Sequence, residues 1–338
     1  MEIRELRQDT ITAAEADELA RLRSLVDPRR APDDPPVSRQ LAINDLRIKT
    51  PSYGYTYWAM FDGDIMVGLS EAGGARNGPN TDACEVGLWI DPQRYDETSP
   101  DFTLHHHLFN HVDAAERATG RTRYWPWGNQ SDPATRQYWE TELGYTQAYD
   151  ERISRCIVAD TDADLMQRWI DQAGERASGY HLVSATAPFD DQTIEYYAQG
   201  LETMNDAPLD DIVQEPEPFD AARARDIEAL FLALHCTYRA TFAIETATGE
   251  LAGYTALRIP DAEPAKSKQG DTVTVEAHRN RGIGRWLKAD MWSWLRTEHP
   301  QVESLDTGNA ESNRAMLAIN QAMGFCDILH HAVWHKLD

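Results

Sequence analysis

Strand-like and helix-like hydrophobic patterns alternate along the chain. In the second half, strand-like runs lie at 180–184, 238–244 and 251–259, and the segments between the runs place apolar residues every three to four positions. The first pattern predicts strands, and the second predicts helices that bury one face. A turn sequence at 246–250 joins the last two runs and predicts a hairpin.

The first half shows the same succession of patterns. Residues 2–7 form a short strand pattern, and Thr12 and Glu15 have the spacing of a capping box at the start of a helix. Asp62-Gly63-Asp64 lies between two apolar runs and predicts a hairpin. A helix is predicted over 102–119. Both halves therefore predict the α/β (α+β) class, with a mixed central β-sheet flanked by helices.

The two halves are related by an internal repeat. Residues 308–325 match 128–145 without a gap at a constant offset of 180, with a Gly-Asn pair near the start and a glycine near the end coinciding. A period this long indicates two copies of a domain rather than a solenoid. We predict tandem domains at 1–159 and 178–338, joined by a linker at 160–177.

The composition restricts the classes of function. The chain has 338 residues, of which 41% are hydrophobic, and this is enough for two packed cores. Its formal net charge is −24, whereas nucleic-acid binding needs a basic face, so we expect no nucleic-acid partner. The four cysteines lack paired spacing, and no apolar run is long enough to cross a membrane. We expect a cytoplasmic monomer or homodimer without a membrane partner.

One stretch of the second half has the pattern of an anion-binding turn. The β-branched run 271–275 leads into a turn containing Gly282 and Gly284, and a helix pattern follows. Glycine lets a ligand approach the backbone N–H groups, and a helix N-terminus favours an anion. Four basic residues add positive charge to the pattern: Arg279, Arg281, Arg285 and Lys288. We predict a phosphate cradle, which lacks the third glycine of a dinucleotide fingerprint and the Lys-Ser/Thr of a Walker loop.

Two motifs carry a family resemblance. Arg279-Asn-Arg-Gly-Ile-Gly284 after a strand, followed by the segment from Asn309 to Met323-Gly-Phe325, resembles the acetyl-CoA loop and last helix of the GNAT acyltransferase superfamily. With the repeat, nearly the whole chain resembles a tandem GNAT protein. The resemblance implies acetyl-CoA as co-substrate and no metal, although Asn313 could equally be a helix cap. The implied cofactor-binding residues are Val273, Thr274, Val275, Arg279, Asn280, Arg281, Gly282, Ile283, Gly284, Arg285, Asn309 and Asn313.

The same resemblance implies that the N-terminal domain has lost the cofactor. Arg94 aligns with Arg279, but residues 95–101 replace the glycine turn. The replacement contains no glycine and three carboxylates, which would repel a pyrophosphate. We expect a degenerate GNAT-like domain that keeps the fold.

The resemblance also implies the reaction. A GNAT enzyme moves the acetyl group to an amine by direct attack in a ternary complex, and the amine must lose a proton to a base. Asp271, at the start of the cofactor strand, is the first candidate base, followed by Glu276 and His235. Many family members place the tyrosine that protonates the departing thiolate where this chain has Asn320. An asparagine could hydrogen-bond the sulfur but cannot act as the acid, so the acid is unassigned.

Charge in the second half indicates the class of acceptor. The loop between the first two helices of a GNAT domain usually lines the acceptor pocket, and here residues 204–220 hold six carboxylates and no lysine or arginine. A small cationic amine would suit this loop, although the acidity of the whole chain leaves a merely solvated loop as an alternative. The missing tyrosine leaves a second hypothesis, a non-catalytic acyl-CoA sensor or interaction protein.

A histidine pair in the first half has the spacing of two metal ligands on a helix. His107 and His111 are four residues apart and could share a metal on a helix. No acidic partner at metalloprotease spacing accompanies them. We expect no metal site.

Overall fold

The computed structural model describes residues 1–27, 30–31, 34–94 and 101–336. The chain divides into two units that exchange segments. Unit 1 comprises Met1–Arg152, Leu209–Glu215 and Leu329–Asp338, and unit 2 comprises Ile153–Pro208 and Pro216–Ile328. The predicted boundaries follow the sequence repeat. The units differ from them because the loop segment Leu209–Glu215 and the C-terminal segment Leu329–Asp338 belong to unit 1.

Unit 1 begins with a strand and two helices, continues with three antiparallel strands, and then alternates helix and strand. Its elements are β1 (Glu2–Leu6), α1 (Ala13–Val26), α2 (Arg39–Asn44), β2 (Tyr53–Asp62), β3 (Ile65–Ala75), β4 (Ala83–Ile90), α3 (Thr103–Arg117), β5 (Arg123–Asn129), α4 (Pro133–Gln137) and β6 (Thr146–Ile157), whose last residues belong to unit 2.

Unit 2 repeats this order after one additional helix, which occupies the predicted linker. Its elements are α5 (Ala163–Arg176), β7 (Tyr180–Thr186), α6 (Asp191–Thr203), α7 (Ala221–Ala233), β8 (Cys236–Glu245), β9 (Leu251–Pro260), β10 (Lys266–Thr274), α8 (Ile283–Glu298), β11 (Ser304–Ala310), α9 (Arg314–Met323) and β12 (Cys326–His335), whose last residues belong to unit 1.

Local sequence signals fix several helix ends. The Thr12 hydroxyl accepts the Glu15 backbone N–H, and the Glu15 carboxylate accepts the Thr12 backbone N–H at 3.0 Å, so the predicted capping box is present. Asp220 caps α7 by accepting the Arg223 backbone N–H at 2.8 Å. Gly324 ends α9 with a φ of +96°, a conformation that glycine adopts without steric cost.

The sheet of unit 1 is mixed. Strands β1 to β4 pair antiparallel in sequence order, and β4 pairs parallel to β5. The C-terminal part of β12 lies antiparallel to β5, with His331 opposite Asn129. One hydrophobic core includes Leu108 of α3, and another includes Leu19 of α1.

The sheet of unit 2 has the same arrangement. Strands β7 to β10 pair antiparallel in sequence order, and β10 pairs parallel to β11. The end of β6 lies beside β11, where Arg155 forms an ion pair with Asp306 at 2.7 Å. One core includes Tyr197 of α6, and another includes Met291 of α8. In each unit the strands form part of a mixed sheet flanked by helices, which confirms the predicted fold class.

Three predicted elements of the second half differ from the structure. β10 begins at Lys266, five residues before Asp271, because the polar residues 266–268 pair with β11. Asn309 lies on β11, and the last helix begins after Asn313. The chain up to Lys336 predicts a final pair of strands, whereas the structure has the single strand β12 there. Backbone pairing, which hydrophobic periodicity does not report, set these boundaries.

Candidate functional site

The parallel strands β10 and β11 separate beside the predicted phosphate cradle. Within the described residues their pairing covers only 266–268 opposite 304–306, although β10 continues to Thr274 and β11 to Ala310. The register of β10 with β9 shifts at a β-bulge just beyond this pairing. Bulges bend a strand, and diverging strand edges can accept an extended ligand as an added strand. Among the described residues the two strands are thus unpaired beyond 268 and 306, and this unpaired stretch, the gap, contains the implied cofactor-binding residues Val273, Thr274 and Asn309.

A buried glutamine holds the bulge in place. The Gln269 amide nitrogen donates to the Ala256 carbonyl at 2.7 Å and lies 3.0 Å from the Thr255 hydroxyl. Gln269 is 6% exposed, so these bonds satisfy an amide that would otherwise be costly to bury. The bend of β10 therefore rests on a side chain that sequence reasoning had passed over.

The glycine turn is open at the start of α8. Gly282 occupies the N-cap position with a φ of +85° and contributes no side-chain cap. A Cβ on Gly282 would have no neighbour within 4 Å, and one on Gly284 would lie 3.6 Å from the Thr274 hydroxyl. The first N–H groups of α8 have no intrahelical acceptor, so this helix start suits an anion.

Three exposed arginines surround the turn, each with a weak internal partner. The Arg279 Nε donates to the Thr274 carbonyl at 3.2 Å, and its Nη2 lies 3.3 Å from the Asp206 carboxylate. The guanidinium of Arg281 lies 5.7 Å from the Tyr180 ring. That of Arg285 lies 5.7 Å from the ring of Trp169. Exposed contacts of this kind contribute little and can give way to a diphosphate.

Lys288 does not belong to this basic group. It lies one turn after Gly284 on the buried face of α8, is 1% exposed, and has its Nζ 5.5 Å from the Phe325 ring. Burial lowers the pKa of Lys288 from 10.5 to about 7, and Cys156 nearby opposes this only in part. The prediction that Lys288 charges the cradle is therefore wrong, because helical geometry turns it into the core.

Asp271 lies partly buried on the bulge of β10. The hydroxyl of the fully buried Tyr254 donates to its Oδ2 at 2.6 Å. Burial raises the pKa of Asp271 above its ordinary value, and the hydrogen bond from Tyr254 opposes this without cancelling it. Burial also raises the pKa of Tyr254, so its hydroxyl stays a donor. A carboxyl group with a raised pKa has the character of a general base.

Of the four asparagines singled out in the sequence, the three on or next to β11 and α9 take different positions. Asn320 on α9 is 2% exposed and donates from Nδ2 to the Asn309 Oδ1 at 2.6 Å, which links α9 to β11. Among the residues that the structure describes, no donor bonds to the Oδ1 of Asn320. Asn313 caps α9 by accepting the Met316 backbone N–H at 3.2 Å. Asn313 is therefore the N-cap of α9, which was one of the two roles that the sequence left open for it.

A cavity of about 650 Å³ lies between the end of α6 and the start of the turn. Four carboxylates and His278 line it, and the His278 Nδ1 lies 2.8 Å from the Tyr180 hydroxyl. Opposite charge would attract a cation to such a cavity. The carboxylates are those of Glu202, Asp206, Glu250 and Glu276.

The acidic loop 204–220 does not contribute as a whole to this cavity. Residues 209–215 belong to unit 1. Glu217 pairs with Arg223 at 2.7 Å, and Asp220 caps α7. Among the described residues that line the cavity, Asp206 alone comes from the six carboxylates of the loop. The expectation that the loop as a whole lines one pocket is wrong. Some of its carboxylates belong to unit 1, and others form local contacts with α7.

The structure separates the three candidate bases. Glu276 is exposed at the cavity and begins the short 3-10 turn Glu276–His278 that follows the end of β10. His235 is exposed in the turn before β8 with a φ of +51°, and the next residue, Cys236, pairs with Pro260 at the far end of β9. Of the three, Asp271 is the residue on the bulge that borders the gap.

In unit 1, strands β4 and β5 pair over more residues than β10 and β11 do in unit 2, and two tryptophan side chains pack together next to the last pair. The pairing extends over Ala83 to Gly87. Trp89, two residues further, packs edge-on against Trp127 of β5 with ring centroids 5.2 Å apart, and a side chain at Gly87 would collide with the Trp89 ring. Most of the segment that replaces the glycine turn, 95–100, lies outside the described residues.

The described residues contain neither a cluster of metal ligands nor a helix that could span a membrane. No group of three or more His, Cys, Asp or Glu side chains there could hold a metal ion. No helix in the same residues is both long and apolar enough to pass through a bilayer.

Comparisons with known proteins identify the fold. No protein-family model and no curated protein sequence matches the chain. A tandem GNAT protein from the clavulanic acid biosynthesis pathway, solved without acetyl-CoA, superposes with a TM-score of 0.76 at 20% identity, over 99% of this chain and 98% of that one. A GCN5-related N-acetyltransferase from Sphaerobacter thermophilus gives 0.66 at 12% identity, over 99% and 95%.

A third solved structure extends the comparison. It is a GCN5-related glucosamine N-acetyltransferase region in a fungal multi-domain β-N-acetylglucosaminidase, with a TM-score of 0.63 at 10% identity, and this chain spans 38% of it. The chain therefore has the tandem GNAT fold, which the repeat and the two motifs predicted. At these identities the similarity establishes the fold alone.

Proposed function

We propose that this protein is an acetyltransferase and that its unit 2 moves the acetyl group of acetyl-CoA to the amine of a small cationic acceptor. The carrying observation is the gap between β10 and β11, which ends at a helix N-terminus with exposed arginines. The extended thioester arm of acetyl-CoA could pair with the free strand edge in the gap, and its diphosphate could bind the N–H groups at the helix start. The two features occur together in unit 2.

The cofactor would lie across residues of both strands and the turn. Residues 273–275 on the diverging edge of β10 would pair with the arm, and residues 279–285 would bind the diphosphate through backbone N–H groups and guanidinium groups. Asn309 would border the arm from β11. Asn313 would act by fixing the start of α9, because its side chain is used as the cap.

The reaction is a direct transfer within the ternary complex. The amine nitrogen attacks the thioester carbonyl carbon, the new C–N bond forms, the C–S bond breaks, and CoA leaves as a thiolate. A backbone N–H of β10 would stabilise the oxyanion that forms. The acidity of a thiol allows it to leave as an anion with little assistance, so an asparagine at position 320 is compatible with turnover.

Asp271 would accept the proton that the attacking amine loses, directly or through water. Its raised pKa comes from partial burial at the bulge, beside the Tyr254 hydroxyl. Glu276 would instead attract the acceptor, since its carboxylate lines the acidic cavity. The four carboxylates of that cavity support a cationic acceptor.

Unit 1 would serve as a structural partner without acetyl-CoA. The pairing of β4 with β5 and the packing of Trp89 against Trp127 support this, because both occupy space that an inserted arm would need. We propose that the duplicated sequence consists of a degenerate domain at 1–159, a linker at 160–177 and a cofactor domain at 178–338. The compact units differ from these domains because the end of β6 belongs to unit 2 and the end of β12 belongs to unit 1.

Thiol release from acetyl-CoA tests the proposal, measured with the full chain and a panel of mono-, di- and polyamines. We expect turnover with a cationic amine and a Kd for CoA that Arg281→Glu raises at least tenfold, because the substitution reverses a charge at the diphosphate. Arg7→Glu, the same charge reversal at an exposed arginine of unit 1, is the matched control. Binding without turnover over the whole panel would favour the acyl-CoA sensor, and no binding at all would refute both functions.

A further inference from the structure

One buried hydrogen-bond acceptor in unit 2 is left without a partner. Asn320 is 2% exposed, its Nδ2 bonds to Asn309, and its Oδ1 contacts no donor in the described part of the chain. A buried acceptor without a donor destabilises the folded protein, so such an atom calls for an explanation such as a ligand that bonds to it. A leucine would fill a similar volume without that cost.

The repeat shows how the same position is satisfied in unit 1. At the offset of 180, Asn320 corresponds to Glu140, whose Oε1 accepts the Trp334 indole N–H at 3.1 Å. The residue corresponding to Trp334 is Ser154, and its hydroxyl donates to Asp327 at 3.2 Å. One copy of the fold supplies a donor to this position from its own strand, and the other copy lacks that donor.

The surroundings of Asn320 indicate where a donor would come from. Its partner Asn309 lies on the part of β11 that has separated from β10. The preceding residue, Ile319, lies 3.7 Å from where a Cβ of Gly284 would be, so α9 packs against the start of α8. Asn320 thus lies on the helix that packs against the start of α8, and its amide contacts the separated part of β11.

We propose that Asn320 Oδ1 accepts a hydrogen bond from an amide N–H of the pantetheine arm of acyl-CoA, which makes Asn320 a positioning residue for the cofactor. The inference rests on the proposed function of unit 2. The thioester group itself carries no donor, whereas the arm carries amide N–H groups, so an acceptor in this place recognises the arm. The Asn309–Asn320 amide pair orients this oxygen, because Nδ2 is already committed to β11.

This assignment predicts an effect of one substitution on binding that its effect on stability does not explain. Asn320→Leu removes the unpaired acceptor together with the bond to the half-buried Asn309, so the two effects on stability oppose each other and the ligand-free protein should melt within about 2 °C of the wild type. The same variant should bind acetyl-CoA about tenfold more weakly, because the hydrogen bond to the arm is lost. The KM for acetyl-CoA should rise with kcat nearly unchanged, which a damaged reaction centre would not give.

Calorimetric titration of the full chain with acetyl-CoA and with adenosine 3′,5′-bisphosphate tests the proposal. The second probe lacks the arm, so Asn320→Leu should leave its Kd unchanged. Gln321→Leu, the same type of substitution at the exposed neighbour on α9, should change neither Kd.

Equal affinity of Asn320→Leu and the wild type for acetyl-CoA would overturn the inference, and so would an equal loss for both probes. If the wild type binds neither probe, the proposed function itself has failed. That outcome is distinct from wild-type binding that the substitution does not affect.

Discussion

The buried amine of Lys288 gives a stability prediction that is independent of any ligand. Within the described residues no carboxylate pairs with it, and its neighbours include Cys156 and the Phe325 ring. Lys288→Met keeps the length and apolar character of the side chain and removes its charge. We expect the variant to be more stable than the wild type near and below neutral pH, because the wild type must bury an ammonium group there.

The magnitude follows from the change in pKa on folding. A fall from 10.5 to about 7 corresponds to roughly 5 kcal/mol between the limiting pH values. Below pH 7 the lysine is protonated in both states and the full penalty applies. Above pH 7 the folded state releases the proton while the unfolded chain retains it up to about pH 10.5, so wild-type stability rises with pH. Between pH 6 and 9 this contribution changes by about 3 kcal/mol.

Urea unfolding of the wild type and Lys288→Met at pH 6, 7, 8 and 9 measures this contribution. The difference between the two proteins is the relevant quantity, because the titration of the other groups cancels in it. The advantage of the variant should shrink by about 3 kcal/mol over this range. Lys49→Met, at a lysine whose side chain is 47% exposed, should show no such trend. A pH-independent difference for Lys288→Met would refute the assignment of a buried, easily deprotonated amine.

Other substitutions probe the reaction centre, the phosphate turn and unit 1. Asp271→Asn should lower kcat about 100-fold or more and leave the Kd for CoA unchanged, whereas an unchanged rate would exclude Asp271 as the base. In the active protein, the rate should fall as acid protonates Asp271, with a midpoint above that of an ordinary aspartate because burial raises its pKa. Gly282→Val should raise the KM for acetyl-CoA several-fold, since a β-branched residue is strained at a φ of +85°; an unaltered KM and melting temperature would contradict the required turn. Trp89→Ala should destabilise unit 1 by about 3–5 kcal/mol in chemical unfolding, with CoA affinity retained; a loss of affinity would indicate that unit 1 binds the cofactor.

The local sequence was sufficient where a structure depends on neighbours in the chain. The Thr12–Glu15 capping box and the Asp220 cap follow from residues within one helical turn, and both are present. The hairpins around Gly63 and 246–250 depend on turn chemistry in the same way. The repeat and the two motifs led to the tandem GNAT fold because they combine many such local signals.

Charge was the least reliable guide to the candidate site. Lys288 and the arginines of the turn look alike in sequence, yet the rotation of the helix buries the first and exposes Arg281 and Arg285. The carboxylates of 204–220 are dispersed, and three of the four at the cavity come from elsewhere in the chain. Glu202 and Glu250 could not be assigned from sequence, because no motif connects α6 with the start of β9.

The chain by itself determined the order of elements, the duplication and the arginine-glycine turn, because these depend on periodicity and residue chemistry along a contiguous segment. Tertiary structure alone decided the strand exchange between the units and the early separation of β10 from β11. It also decided the unpaired oxygen of Asn320. Each of these depends on which distant segments become neighbours, and hydrogen-bond partners that lie far apart in the chain leave no local pattern.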